Sequence, residues 1–343
     1  MVTVTLGSTG ITVNKNGFGA LPIQRIIHEK AANILMKAFN AGIIFFDTAR
    51  FYSDSEEKIG EALSSVRSQL FIATKTAAQT AEAFWKDLET SLGLLKTDYI
   101  DIYQFHNPSF CPKPKDGTGL YEAMLQAREQ GKIRHIGITN HRLNIAREAI
   151  ESGLYETLQF PFNYLATEEE HELVKMCKKK NMGFISMKAL SGGLITNSKA
   201  AYAYQAGYDN VLPIWGIQRE SELDEFIEYI SNPPVMNDEI RAVIEKDKKE
   251  LAGGFCRGCG YCMPTCPAKI EINNCARMSL LLRRSPAELQ LTPQVQAKMK
   301  KIEDCIHCGQ CTVHCPYGLD TPKLLEENYR DYQEVLAGRV KVN

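Results

Sequence analysis

Two cysteine runs carry the most specific chemistry in this 343-residue chain. The first is Cys256-x-x-Cys259-x-x-Cys262-x-x-x-Cys266-Pro267, and the second is Cys305-x-x-Cys308-x-x-Cys311-x-x-x-Cys315-Pro316. Cys111, Cys177 and Cys275 lie outside them. A cubane iron–sulfur cluster needs four thiolates, and three closely spaced ones let a short loop wrap one cluster. Structural zinc and disulfides are the other uses of such residues. Two copies of one spacing, each followed by proline, favour the clusters. A second set is scattered along the first third of the chain: Asp47, Tyr52, Lys75 and His106. These four ionisable types could perform acid–base chemistry, provided the fold brings them together.

The elements that would do so are legible. Short apolar runs occur at 17–21, 43–49, 70–76, 100–106, 133–140, 157–164, 183–190 and 211–217. Between them, apolar residues recur at helical spacing, for example over Lys30–Asn40, Ala81–Leu94, Tyr121–Gln130, Leu143–Ser152, Glu168–Lys180 and Ser221–Ile230. The segment Asn197–Gln205 has the faintest helical pattern. Eight β-α units imply a parallel sheet with helices outside. Their total length suits a closed (β/α)8 TIM barrel, with a doubly wound open sheet as the alternative. No G-x-G-x-x-G follows the first strand, which counts against the open dinucleotide-binding sheet. In a barrel, chemistry sits at the C-terminal strand ends. Asp47 ends the second strand, Lys75 the third and His106 the fourth, and Tyr52 lies in the loop after the second. Singly, each has a structural explanation as a turn cap, a packed ring, a solvated amine or a satisfied histidine. Placed at three consecutive strand ends, they form a candidate acid–base group.

The stretches Phe46-Asp47-Thr48-Ala49, Tyr52, Ala73-Thr74-Lys75, Tyr103-Gln104-Phe105-His106 and Gly137-Ile138-Thr139-Asn140, with the strand holding Gln159, resemble the aldo-keto reductase family. The likeness extends over about residues 3–230. It implies hydride transfer between a nicotinamide and a carbonyl or alcohol carbon. Tyr52 would be the general acid or base. Its ordinary pKa of about 10 would be lowered by the Lys75 ammonium. Asp47 would orient Lys75, and His106 would donate a hydrogen bond to the substrate oxygen. By the same resemblance Thr139, Asn140 and Gln159 would hold the carboxamide, and Met187 would pack on the nicotinamide ring. Lys188, Leu190, Gly192 and Gly193 would lie along the pyrophosphate, with Gly216, Gln218 and Glu222 toward the adenosine end. Glu222 stands where members that use NADP(H) often carry arginine. A carboxylate repels a 2′-phosphate, so NAD(H) is favoured over NADP(H), with Arg219 as a compensating charge. Phe51, Phe110 and Leu21-Pro22-Ile23 give the expected mouth an apolar bias.

The cysteine runs resemble bacterial-type ferredoxins, in which the fourth cysteine of each run reaches the other cluster. The resemblance implies two [4Fe–4S] clusters. Cys256, Cys259, Cys262 and Cys315 would hold one, and Cys305, Cys308, Cys311 and Cys266 the other. The 38 residues between the runs exceed the compact ferredoxin spacer and carry helical patterns near Asn274–Arg283 and Pro293–Asp304. The module therefore resembles the helical dicluster ferredoxins. The expected architecture is a barrel over 1–236, a connecting helix over 237–252, and a small, mainly helical two-cluster domain over 253–343 that opens at Gly253-Gly254.

Composition narrows the function classes. Hydrophobic residues are 44%, charged residues 24% and net charge −1. No basic excess points to nucleic acid, and no apolar run is long enough for a membrane span. The start MVTVTLGSTG lacks the features of a signal peptide, giving an expected cytoplasmic location. Oxygen-labile clusters suggest an anaerobic host. The expectation is an NAD(P)(H)-dependent oxidoreductase acting on a small carbonyl or alcohol. The alternatives are a ferredoxin-linked reductase whose clusters pass electrons to substrate or a redox partner protein, and a non-catalytic nucleotide or redox sensor.

Overall fold

The computed structural model describes residues 2–251, 254–284 and 287–342. Gly253, half of the expected opening of the cluster domain, lies outside the described residues. The chain forms two compact units, Met1–Ala189 with Lys199–Arg241, and Leu190–Ser198 with Ala242–Asn343.

The first unit is built on eight short parallel strands: β3 (Gly17–Gly19), β4 (Phe45–Asp47), β5 (Phe71–Thr76), β6 (Ile100–His106), β7 (Ile133–Thr139), β8 (Thr157–Pro161), β9 (Gly183–Met187) and β10 (Val211–Gly216). They close in chain order into a barrel, with β10 pairing β3. Each falls within one expected apolar run, because strands covered on both faces read as nearly continuous hydrophobic stretches. The open sheet is thereby replaced by the barrel. An antiparallel hairpin, β1 (Thr3–Thr5) and β2 (Thr12–Asn14), precedes it. Val4, Leu6, Ile11 and Val13 of the hairpin region pack with Phe45, Ala73, Ile102, Ile185, Leu212 and Ile214 from the strands. This apolar plug leaves the polar strand ends at the opposite mouth.

The helices are α1 (His28–Asn40), α2 (Ser55–Leu63), α3 (Ala81–Leu95), α4 (Leu120–Glu129), α5 (Leu143–Ser152), α6 (Glu168–Lys179), α7 (Ser198–Ala206) and α8 (Glu220–Ser231). Their buried faces follow helical spacing, as with Ala31, Ile34, Leu35 and Ala38 on α1. A capping box starts α6, with Thr167 accepting from the Glu170 amide and Glu170 accepting from the Thr167 amide. Helix α2, which carries the turn after Tyr52, packs closely on α3. A Cβ on Gly60 would lie 2.0 Å from the Leu94 carbonyl oxygen, so only glycine allows this approach.

The second unit contains α9 (Asp238–Glu250, shared with the first unit at its start), α10 (Ile272–Cys275), α11 (Met278–Arg284), α12 (Ala287–Gln290), α13 (Pro293–Lys300), α14 (Gln310–Val313) and α15 (Thr321–Leu336). The pattern over Asn274–Arg283 becomes two helices broken at Ala276–Arg277, and α13 ends in a 3-10 turn over Lys301–Asp304. The core gathers Ile270, Ile272, Cys275, Met278, Leu282, Met299, Ile302, Leu325, Tyr332 and Val335 around Cys256, Cys262 and Cys311. Leu325, Tyr332 and Val335 recur at helical spacing on α15, so this helix holds the small unit together. Among the described residues, no helix is long and apolar enough to cross a membrane.

Candidate active site

Register across β3 to β8 assembles the polar mouth. Asp47 pairs with Gly19 and Ala73, Lys75 with Gln104, His106 with Thr139, and Thr139 with Gln159. The four residues expected to act together therefore come from adjacent strands and one loop. Lys75 Nζ donates to both carboxylate oxygens of Asp47, at 2.8 and 2.7 Å, and to the Thr48 carbonyl at 2.5 Å. Both side chains are buried. Burial pushes the Asp47 carboxyl up and the Lys75 ammonium down, each opposed by the partner's charge. Contacts this short keep the pair ionised. Gln159 donates to Asp47 at 3.4 Å and accepts from Gln104 at 2.8 Å, which fixes its amide.

Tyr52 sits in the turn between β4 and α2, where the Ser55 amide donates to its carbonyl. Lys75 Nζ lies 5.2 Å from the centre of its ring. The His106 ring meets the Tyr52 ring edge-on, at 5.8 Å between centres. Burial, followed by the Lys75 charge, holds the His106 pKa down at about 3. His106 is thus neutral at working pH and presents an N–H rather than a charge. In the unfolded chain it would titrate at its ordinary 6.5, so between pH 6.5 and 3 the unfolded state binds the extra proton. Stability is expected to fall as pH drops through this window. Denaturation of wild type should lose stability more steeply there than His106→Asn. Parallel curves would assign the acid sensitivity to other groups.

Of the residues expected at a dinucleotide, Thr139, Asn140, Gln159, Met187, Lys188, Gly216, Gln218 and Glu222 belong to the first unit. Leu190, Gly192 and Gly193 belong to the second. The Asn140 side-chain oxygen Oδ1 accepts from the His141 and Arg142 amides, and its Nδ2 donates to the Pro108 carbonyl. Thr139 Oγ1 approaches the Met187 sulfur at 3.9 Å, and Asn163 holds the Lys188 carbonyl. A Cβ added at Gly193 would meet no atom within 4 Å, so its backbone faces open space. Glu222 has a role the sequence did not suggest. Its carboxylate accepts from the Gln218 and Arg219 amides at 3.0 and 3.1 Å, and from the Arg219 guanidinium at 2.6 and 2.8 Å. It occupies the start of α8, where a helix would otherwise offer amides to an anion. Leu21, Phe51 and Phe110 are exposed, as expected of a mouth, whereas Ile23 is fully buried in the core.

Sequence reasoning missed a second ion pair near Lys75, buried on its acidic side. Glu56 on α2 pairs with Arg50 and accepts from Thr74 at 2.7 Å. Its negative charge helps keep Lys75 protonated. Its position at the helical start next to Tyr52 was the only sequence signal.

In the second unit, Cys266, Cys305, Cys308 and Cys311 line one apolar recess, together with Pro267, Ile270, Ile272 and Leu325. This set coincides with the four cysteines assigned to one cluster by resemblance. Burial and the charges of Cys256, Cys259 and Cys311 push the Cys262 thiol up to about 12. Such crowding of thiolates is relieved by a cationic iron centre, and the donor set fits one. Among the described residues, no three His, Cys, Asp or Glu side chains converge as one metal ion would require. A cubane binds its thiolates at separate irons, which spreads them around a cavity. Cys177 and Cys275 are buried in the helical cores.

Comparison with known proteins agrees with this geometry. Residues 15–205 match the model of the aldo/keto reductase family, and residues 255–320 match that of a 4Fe-4S dicluster domain. The chain belongs to the aldo-keto reductase family, whose named members are oxidoreductases. It is 30% identical over 210 residues to L-galactose dehydrogenase of Arabidopsis thaliana, a match covering 56% of this chain and 66% of that protein. It is 26% identical to the NADH-specific methylglyoxal reductase of Escherichia coli, covering 65% of this chain and 77% of that one. Some curated relatives are spanned for less than two thirds of their length, such as 63% for an aldo-keto reductase of Bacillus subtilis. The fold is shared with an aldo-keto reductase of Klebsiella pneumoniae solved with NADPH, at TM-score 0.62 and 20% identity over 72% of this chain and 95% of that one.

Proposed function

We propose that this chain is an NAD(P)(H)-dependent oxidoreductase acting on a small carbonyl or alcohol, with two [4Fe–4S] clusters in its second unit. The observation that carries the reading is the buried Lys75–Asp47 pair beneath the Tyr52 ring, with a neutral His106 against the same ring. A nicotinamide, when bound, supplies or takes the hydride. The chain's own residues manage the proton and the oxygen. Lys75, held charged by Asp47, favours the Tyr52 phenolate, so Tyr52 can give a proton to the oxygen in reduction or take it in oxidation. Neutral His106 donates a hydrogen bond that polarises and orients the same oxygen. Thr139, Asn140 and Gln159 are assigned to the carboxamide, Met187 to the ring face, and Lys188, Leu190, Gly192 and Gly193 to the pyrophosphate. Anaerobically purified protein should oxidise NADH against short aldehydes or ketones. Absence of turnover across a broad carbonyl panel would favour the sensor reading.

For the adenosine end, we assign Gly216, Gln218 and Glu222 and favour NAD(H). Glu222 already occupies the amides and the guanidinium that a 2′-phosphate would need. Glu222→Ala frees both, so the NADPH:NADH affinity ratio should rise about tenfold. An unchanged ratio in paired titrations would remove Glu222 from the specificity determinants.

For the clusters, we assign Cys256, Cys259, Cys262 and Cys315 to one and Cys305, Cys308, Cys311 and Cys266 to the other. A second reading, in which the clusters carry electrons to a partner protein, is supported by the exposed Cys308 and the exposed Ile306 beside it. Nicotinamide moves two electrons as hydride and a cluster moves one, so this role needs a separate reaction.

A further inference from the structure

The segment Leu190–Ser198 follows β9 in the chain but groups with the cysteine-bearing unit. Two guanidiniums of that unit hold its carbonyl groups. Arg277, between α10 and α11, donates from Nη1 to the Gly192 carbonyl at 3.2 Å. Arg284, at the end of α11, donates from Nε to the Leu194 carbonyl and pairs with Asp247 and Glu250. Both arginines are anchored by buried neighbours, Cys275, Ala276 and Met278 around the first and Leu282 beside the second.

Arg277 also touches the first cysteine run. A Cβ built on Gly258 would lie 3.0 Å from its Cζ and Nη1, and one built on Gly192 would lie 2.7 Å from Nη1. Both glycines have positive φ, 64° and 67°, so each peptide can turn against the flat guanidinium without a side chain intervening. The Gly258 amide in turn donates to the Cys256 sulfur at 3.4 Å. A continuous contact path therefore runs from the Cys256 sulfur through Gly258 and Arg277 to the Gly192 carbonyl.

We infer that Arg277 is a positioning residue for dinucleotide binding, tying the loop of the first cysteine run to the Gly192 turn so that the order of one sets the order of the other. The inference rests on the assignment of Gly192 and Gly193 to the pyrophosphate. Loss of the guanidinium removes a charge-assisted bond to a backbone carbonyl, and the turn then samples other conformations. The dinucleotide must reorder it on binding, so affinity falls while the proton-handling residues are untouched.

The test uses the cluster-loaded full chain as wild type, Arg277→Ala, Arg277→Lys and Arg283→Ala. The last replaces the neighbouring arginine that pairs with Asp331 instead. Backbone hydrogen exchange over residues 190–198, cluster absorbance and the Kd for NADH are measured together. Arg277→Ala should keep its cluster absorbance, exchange about tenfold faster over 190–198 and bind NADH about tenfold more weakly, with kcat at saturating NADH unchanged. Arg283→Ala should match wild type in all three. If Arg277→Ala loses its clusters, Arg277→Lys is decisive, because it keeps the charge but cannot lie flat between two peptides. Wild-type exchange over 190–198 in a cluster-loaded variant overturns the tie. Faster exchange with unchanged NADH affinity instead overturns the pyrophosphate assignment and the positioning role with it.

Discussion

Tyr52→Phe should lower carbonyl turnover by about 10²–10⁴-fold while leaving dinucleotide affinity near wild type. The substitution deletes one oxygen and keeps the ring that meets His106 edge-on. It removes the group that gives or takes the proton and little else. His106, with its pKa held near 3, cannot replace it, because a neutral imidazole at working pH is a poor proton donor. Lys75 is committed by three bonds to Asp47 and Thr48. The kinetic signature is a fall in kcat with the Kd for the dinucleotide unchanged, measured by stopped-flow and fluorescence titration. Comparable turnover by the variant would take the proton transfer away from Tyr52.

Lys75→Met should cost about 3–5 kcal/mol of stability as well as turnover, because it leaves the Asp47 carboxylate buried without its cation. Asp47 is 2% exposed, and among the described residues the remaining side-chain donor to it is Gln159 at 3.4 Å. The double variant Lys75→Met with Asp47→Asn removes both charges and should recover much of the stability but none of the turnover. This separates the pair's structural cost from its catalytic use. Urea denaturation of the three proteins reads it. A double variant no more stable than Lys75→Met would show that the loss comes from packing and not from an unpaired charge.

The barrel was legible because its strands are buried on both faces and so stand out as apolar runs. The placement of Asp47, Lys75 and His106 at strand ends followed directly. Other features left weaker traces. The β1–β2 hairpin has three-residue strands, too short to show a period. Helix α2 buries Glu56 and Lys58, charged residues that a hydrophobic pattern assigns to solvent. Glu222 was readable as a charge at the expected adenosine end, but its capping of α8 depends on a backbone turn. The grouping of Leu190–Ser198 with the second unit depends on Arg277 and Arg284, more than eighty residues away, and no local pattern encodes that. The cysteine runs were the reverse case. Cluster ligation imposes fixed spacings, so their chemistry was readable before any fold was known.

In the proposed function, hydride passes directly between nicotinamide and substrate, without electrons travelling through the clusters. It is tested by supplying anaerobic, cluster-loaded protein with NADH carrying deuterium at C4 on the transferred face and a prochiral aldehyde in ordinary water. Direct transfer gives an alcohol that retains the deuterium at the former carbonyl carbon. The result that would contradict it is a product whose new C–H hydrogen comes from the solvent, as one-electron delivery through the clusters would give.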